Sequence, residues 1–504
     1  MTMKRLLISL VLMFTALGTG AQGLYVATDK SCYLAGELIG CSAFCSPGHP
    51  VACLELVSAE GSAAQGKIAL YDGRGAGTLA IPFDTPTGNY RLVSYFPGQQ
   101  PDASAGPVLS IFNTLCTDRV KGGVEVVDRG GAAPVVSQVG YGFAVDIVRD
   151  SLVISNISGS DVSFCVSLYR EDSLLGAPRS SIASFKPLPA GEVSYGEAIS
   201  GRVVGSGRAG RVILAVPGSK TDCCQAETAP DGSFCAQTET IYGDVDLVCI
   251  PLDGNDCHVE IDSPFCSPAA DGLPRLEIFR AMEGDLLRRH AAMLRKAALD
   301  TLSLSLPVRR EHFFLERECH SYILDDYTRF PTMEEVFVEI IPEVKMRRRA
   351  GKVRIYSLME KSVTDGVPRW GDAVVMIDGV PVPDQGLIES YDPALVKRID
   401  TYPYRYKLGG PVFDGVINLV TFKGNMPGLQ FDESVRIYSY HGCSVPMSFS
   451  GSETFYWHPM SELPAGASLS LPLPQADKGT YCTLSVEGLA SGGGAVYFRK
   501  TFSR

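Results

Sequence analysis

Cys319 and His320 are adjacent, a pairing that could suggest a thiol nucleophile beside a base. In an extended strand, neighbouring side chains point to opposite faces, so adjacency argues against such a dyad. Asp325 and Asp326 offer two carboxylates without further oxygen ligands at calcium-loop spacing, and a charged turn explains them better. The 15 cysteines include no paired CxxC set. His258 and His320 each follow a lone cysteine, so zinc spacing is missing. The GxSxG, HExxH, P-loop and strand-linked GxGxxG patterns are also missing. No catalytic residue, metal ligand or cofactor site is therefore assigned, and the expectation is a protein that is not an enzyme. The residual enzyme reading is a hydrolase using Cys319 or a carboxylate pair.

What would position any site is a long, turn-rich chain. It has 504 residues, 45% hydrophobic and 20% charged, with 52 glycines and 32 prolines. That length predicts several domains, and the composition suits a mainly β protein. Net charge is −11, which makes nucleic acid an unsuitable partner. The N-terminus reads as a secretory signal over residues 1–21. Lys4 and Arg5 precede an apolar run from Leu6 to Leu17, and small residues follow at Thr19 to Ala21. Cleavage would remove those two cations and leave −13. An uncleaved anchor is the competing reading. No later apolar run approaches a membrane-spanning length. Export would permit disulfides. Candidates are Cys41 with Cys45 or Cys53, Cys223 or Cys224 with Cys235, and Cys249 with Cys257. About half of the cysteines, including Cys165 and Cys482, read instead as small buried hydrophobes.

Residues 22–116 alternate apolar and polar positions around a turn at Gly36-Glu37. Thr28-Asp29-Lys30, Tyr33 and Gly36-Glu37, with GTLAIPFDTPTGNYRLVSYF from Gly77, resemble the opening of macroglobulin-type β-sandwich domains. The thioester motif GCGEQ of that family is missing, since Gly442-Cys443 runs into Ser-Val-Pro. Residues 117–195 read as a second sandwich. Asn156-Ile-Ser158 is a glycosylation sequon, and Asp150-Ser-Leu152 and Asp172-Ser-Leu174 resemble bacterial O-glycosylation sites. Residues 196–265, with ISGRVV and Asp231-Gly232 at a hairpin, resemble the carboxypeptidase regulatory-like module. Residues 266–326 read as a helical linker. Helical spacing over Leu276 to Leu302 places Arg288, Arg289 and His290 on a solvated face or a membrane-surface patch.

Residues 327–425 read as a small α/β unit. Thr332 and Glu335 form a capping box for a helix from Met333 to Ile340, ended by Pro342. A basic hairpin arm, Met346 to Tyr356, follows. Asp378-Gly379 makes a tight turn and Pro381 fixes its exit. Asp392 and Pro393 then start a helix over Ala394 to Ile399. Gly409-Gly410 and Gly415 shape a loop before a strand over Val416 to Thr421. This order resembles the plug domain of TonB-dependent outer-membrane receptors. Only 80 residues follow Gly424, whereas outer-membrane barrels need at least about eight strands of roughly ten residues. Residues 426–504 therefore read as one more sandwich, and the plug carries no barrel. The arrangement resembles exported multidomain proteins of Bacteroidetes.

The expected fold is mainly β, with tandem Ig-like β-sandwiches and one small α/β plug-like domain. Asp378, Gly379, Pro381, Asp392, Pro393, Gly409 and Gly415 are assigned structural roles. The expected function is non-enzymatic protein interaction at the outer membrane or cell surface, from the periplasm or the outer face. The alternative is an accessory to TonB-dependent transport whose plug-like domain docks a separate barrel or binds a ligand.

Overall fold

A computed structural model describes residues 23–128, 136, 138–174, 179–187, 196–207, 209–218, 222–252, 256–299, 319–359, 367–407, 412–473 and 476–503. The expected signal segment and Gly409 lie outside them. The chain is mainly β and built of packed sheets, as expected of tandem sandwiches.

The first eight strands, Leu24–Thr28 through Val108–Phe112, form one continuous sheet system. The long strand Gly61–Tyr71 pairs over Gly61 to Ala69 with Val51–Ser58 and at its last two residues with Arg74–Ala80. It thereby folds the system around a core of Tyr33, Ile39, Leu54, Leu56, Ile68, Tyr90 and Leu92.

The second sandwich corrects the expected boundaries. Val162–Arg170 is the middle of a sheet whose neighbours come from the far end of the chain, Thr454–Leu463 and Tyr481–Ala490. Ser151–Asn156 likewise pairs with Ser468–Pro472. The strands from Val139–Tyr141 to Val162–Arg170 and those from Thr454–Leu463 to Ala495–Ser503 are thus two halves of one sandwich around Phe143, Ile154, Phe164, Val166, Leu484, Val486 and Phe498. The physical reason is that Val162–Arg170 is buried along nearly its whole length, so both of its edges need partners.

The third unit also borrows from the C-terminal segment. Asp244–Leu252 pairs with Arg436–His441, from Asp244↔His441 to Cys249↔Arg436. Within the expected helical linker, the described residues 266–299 dock onto the neighbouring units. Leu276–Ile278 forms a parallel pair with Val124–Val126. The helix Met282–Leu299 then sets Met282 among Cys32, Leu34 and Phe112. The helical spacing expected from Leu276 is realised only from Met282, because Leu276–Ile278 is drawn into strand pairing with Val124–Val126.

The α/β unit has a mixed sheet in the order His320–Ile323, Val396–Tyr402, Val416–Thr421, Val374–Ile377, Val380–Pro381. Met333–Ile340 is helical with the full Thr332–Glu335 capping box. Met333, Val336 and Phe337 join Ile377, Ile399 and Leu419 in a core that also takes in Ile213, Ala215, Val248 and Ile250 of the third unit. The helix expected over Ala394 to Ile399 is a single 3-10 turn, Pro393–Leu395, followed by strand. Asp392 does cap it, but Val396–Tyr402 is drawn into the sheet between two partners, and pairing overrides a short helix start.

Candidate functional site

Asp378 is fully buried at φ 50°, next to Gly379 at φ 82°. Two left-handed residues in succession make a hairpin turn that only Gly, Asn and Asp adopt at low cost. The Asp378 carboxylate accepts hydrogen bonds from the Thr421 amide (2.7 Å), the Thr421 hydroxyl (2.6 Å) and the Met426 amide (2.8 Å). The Gly379 amide donates to Asn418 Oδ1 at 3.0 Å. Pro381 is buried opposite Met376. Asp392 Oδ1 accepts from the Ala394 amide at 2.8 Å, with Pro393 at the first position of the turn. A Cβ on Gly415 would stand 2.5 Å from the buried Ser357 side chain. Every acceptor of Asp378 is used inward, so this turn braces the sheet rather than presenting a ligand site.

The structure separates Cys319 from His320. His320 lies opposite Thr401 in the sheet and shares its face with Glu343. Glu343 Oε1 is 3.0 Å from His320 Nδ1 and accepts from Thr401 Oγ1 at 2.7 Å, and Tyr322 donates to both carboxylate oxygens. Burial pushes the Glu343 carboxyl up, but the hydrogen bonds from Thr401, Tyr322 and His320 outweigh it and hold the group below the ordinary range. The side chain of Cys319 instead lies by Tyr402, one residue on from Thr401 and so on the other face. Asp325 accepts from Arg329 Nε at 2.9 Å, which makes the expected charged turn. Among the described residues, no three His, Cys, Asp or Glu side chains gather as a metal site would require.

Cys41, Cys45, Cys53, Cys224, Cys235, Cys249 and Cys257 are free thiols, which corrects the disulfide candidates. Cys41 and Cys45 stand in one strand, roughly 13 Å apart at about 3.3 Å per residue, beyond disulfide reach. Nine cysteines of the chain are buried. Burial pushes the thiols of Cys45, Cys53 and Cys165 up to about 12, far from the reactive range. The Asn156 sequon is also closed. Asn156 is fully buried, and its amide donates to the carbonyls of Ser160, Leu463 and Pro464.

The strongest polar constellations join units, and sequence spacing missed them. Lys67 of the first sandwich donates to Glu197 and, at 2.9 Å, to Tyr440 Oη of the third unit. Tyr440 donates to Glu197 Oε1 at 2.6 Å, and Lys67 Nζ lies 4.1 Å from the Tyr440 ring centroid. The Lys67 and Glu197 side chains are 1% and 4% exposed, and Glu197 Oε2 has no hydrogen-bond partner. A second junction surrounds Arg289, buried rather than on the expected solvated face. Arg289 is bidentate to Asp172 (2.7 and 3.0 Å) and donates to the Cys32 carbonyl at 3.1 Å. Arg288 beside it reaches Glu453 at 2.5 Å and Asp172 at 2.8 Å. Ser173 in turn is bonded to Asp285, so the Asp172-Ser-Leu174 glycosylation-like triplet is part of this lock. A third constellation is Glu55, which accepts from Gln65 and from the Cys266 and Ser267 amides and pins residues 266–267 to the first sandwich.

No family model and no curated protein matches this chain. Among solved structures it is similar to an alpha-2-macroglobulin of E. coli in its native conformation, with 8% identity and a TM-score of 0.24 over 96% of this chain. A Salmonella alpha-2-macroglobulin mutant gives 7% identity and a TM-score of 0.24 over the same share. The chain spans 40% of the length of each. At such a TM-score the likeness carries no argument, and the sandwich architecture rests on the sheets themselves.

A cavity of about 250 Å³ lies in the third unit between Leu214, Val216, Cys224, Ile241 and Leu247. Gly196, Cys223, Gln237, Thr238 and Glu239 complete its wall. No helix among the described residues is long and apolar enough to cross a membrane.

Proposed function

We propose that the protein is a non-enzymatic, exported scaffold for protein–protein interaction at the outer membrane or cell surface. The observation that supports this most is where its buried charge goes. Lys67, Glu197, Arg289, Asp172 and Glu453 are spent on joining sandwiches to one another instead of being aimed into a cleft. A buried ion pair adds little net stability over an apolar one, but it fixes one arrangement, because every alternative strands a charge. A chain that invests in fixed geometry between recognition-type sandwiches suits presenting surfaces to partners. On this reading the sandwiches are of macroglobulin type and the α/β unit is a plug-like module.

Crosslinking in intact cells, followed by membrane fractionation and pull-down of the full chain, tests this. Discrete crosslinked protein partners in the membrane fraction are expected. Recovery of the protein always alone, monomeric and free in the periplasm would overturn it.

A further inference from the structure

The basic arm of the α/β unit is a three-stranded antiparallel sheet, Val344–Arg349, Lys352–Met359 and Arg369–Asp372. The register sets Arg347 opposite Arg354, Arg349 opposite Lys352, Lys345 opposite Tyr356, and Trp370 opposite Leu358. Directly opposed residues share a face. One face therefore carries Lys345, Arg347, Arg349, Lys352 and Arg354, all exposed, against the single carboxylate Asp372. None of these five makes an ion pair with a described residue. The paired arginine, Arg348 with Glu389, belongs to the other face. Exposed Trp370 lies on the basic face, with Lys345 Nζ 3.7 Å from its ring centroid.

Like charges directly opposed across a sheet destabilise it, and this sheet has two such pairs, Arg347↔Arg354 and Arg349↔Lys352. Cations on an edge strand often serve only to discourage edge-to-edge pairing. That accounts for Lys345, Arg347 and Arg349, which stand on the edge, but not for Lys352 and Arg354, which stand on the middle strand. The arrangement makes sense once an anion covers it.

The footprint selects the anion. The three strands carry seven cations and one carboxylate, a net +6, which leaves −17 for the remainder of a chain of −11. A bilayer surface or a duplex, broader than this patch, brings its charge against that acidic remainder. The cations recur at every second residue of the edge strand, about 7 Å apart. That repeat matches an extended polypeptide with carboxylates on alternate residues. Guanidinium forks take carboxylates bidentately, and an unpaired sheet edge accepts an added strand.

We propose that this basic sheet docks an extended, acidic segment of a partner protein, an inference that rests on the protein-interaction reading above. The test uses the full chain and a fluorescein-labelled peptide of alternating glutamate and threonine, read by fluorescence polarisation. Peptide binding is expected that weakens as salt rises and falls on the order of tenfold in Arg354→Glu. Thermal unfolding of Arg354→Glu is expected at or above the wild-type midpoint, since the new carboxylate faces Arg347. Lys478→Glu, an exposed reversal elsewhere, is expected to bind as wild type. Equal peptide binding by Arg354→Glu and wild type would overturn the proposal, as would no peptide binding at all. Preferential binding of phosphatidylglycerol vesicles or single-stranded DNA over the peptide would overturn it too. Such a failure leaves the crosslinking test standing, because crosslinking reads partners on any surface.

Discussion

Replacing Lys67 with methionine isolates what the junction between the first sandwich and the third unit is worth. Methionine keeps most of the side-chain volume, so little cavity opens. What is lost is the charge against Glu197, the donor to Tyr440 and the ammonium held 4.1 Å from the Tyr440 centroid. A desolvated cation–π contact is worth about 2 kcal/mol. Stranding the buried Glu197, which keeps only the Tyr440 hydroxyl as donor, brings the total to about 3–5 kcal/mol, the cost of breaking a buried pair from one side. Urea unfolding followed by tryptophan fluorescence reads it, because Trp457 is fully buried in the cluster joining the first two sandwiches. Far-UV dichroism on the same samples shows whether the units unfold together, as a chain with several cores need not be two-state. Combining Lys67→Met with Glu197→Gln removes both charges and leaves Tyr440 an acceptor. That double variant should return to within about 1–2 kcal/mol of wild type. If Lys67→Met costs less than about 1 kcal/mol, or if the two changes simply add, the junction is not coupled as described.

Asp378→Ala leaves the buried amides of Thr421 and Met426 without an acceptor and puts alanine at φ 50°, so it should cost at least about 3 kcal/mol in urea unfolding. Asp378→Asn, which tolerates that conformation and retains one acceptor, should cost clearly less. Glu37 and Glu343 are both held below the ordinary carboxylate range. For Glu37, burial acts upward and is outweighed by Lys30 and Arg289. A folded-state pKa below the unfolded value of about 4.3 contributes stability above that pH and loses it as pH falls through the folded value. The urea midpoint should therefore drop as pH is lowered from about 5, and Tyr322→Phe, by removing a donor to Glu343, should make that drop shallower.

The legible parts of the fold were those whose causes lie within a few residues. The helix Met333–Ile340 has its start written in Thr332 and Glu335 and its end in Pro342. The Asp378-Gly379 turn and the Asp392-Pro393 cap carry their chemistry locally in the same way. Where local and non-local preferences compete, sequence reading failed. Asp392-Pro393 starts a helix, but two sheet partners claim the residues from Val396 on. The junctions were beyond reach for another reason. Glu197 lies 130 residues from Lys67, and Tyr440 lies 373 away. Nothing near Lys67 in GSAAQGKIALY marks it as a buried cation, and Arg289 sits beside the partly exposed Arg288, so periodicity alone put both arginines outside.

The borrowing of C-terminal strands also explains why the junctions are ionic. Val162–Arg170 stays unpaired on both edges until Thr454–Leu463 and Tyr481–Ala490 exist, so the second sandwich closes only after the third and α/β units have been made. In the meantime the chain holds exposed strand edges and apolar faces able to pair wrongly. An apolar seam between units accepts many registers at similar energy. A buried Lys67 or Arg289 accepts few, because a shifted packing leaves the charge without its carboxylate. Glu453, one residue before the returning strand Thr454–Leu463, meets Arg288 and Arg289 on the helix. Thr454 itself donates to buried Asp29 of the first sandwich at 2.9 Å. The first residues of the returning strand are thus tied to two earlier units, so a shifted register would cost these polar contacts as well as apolar packing.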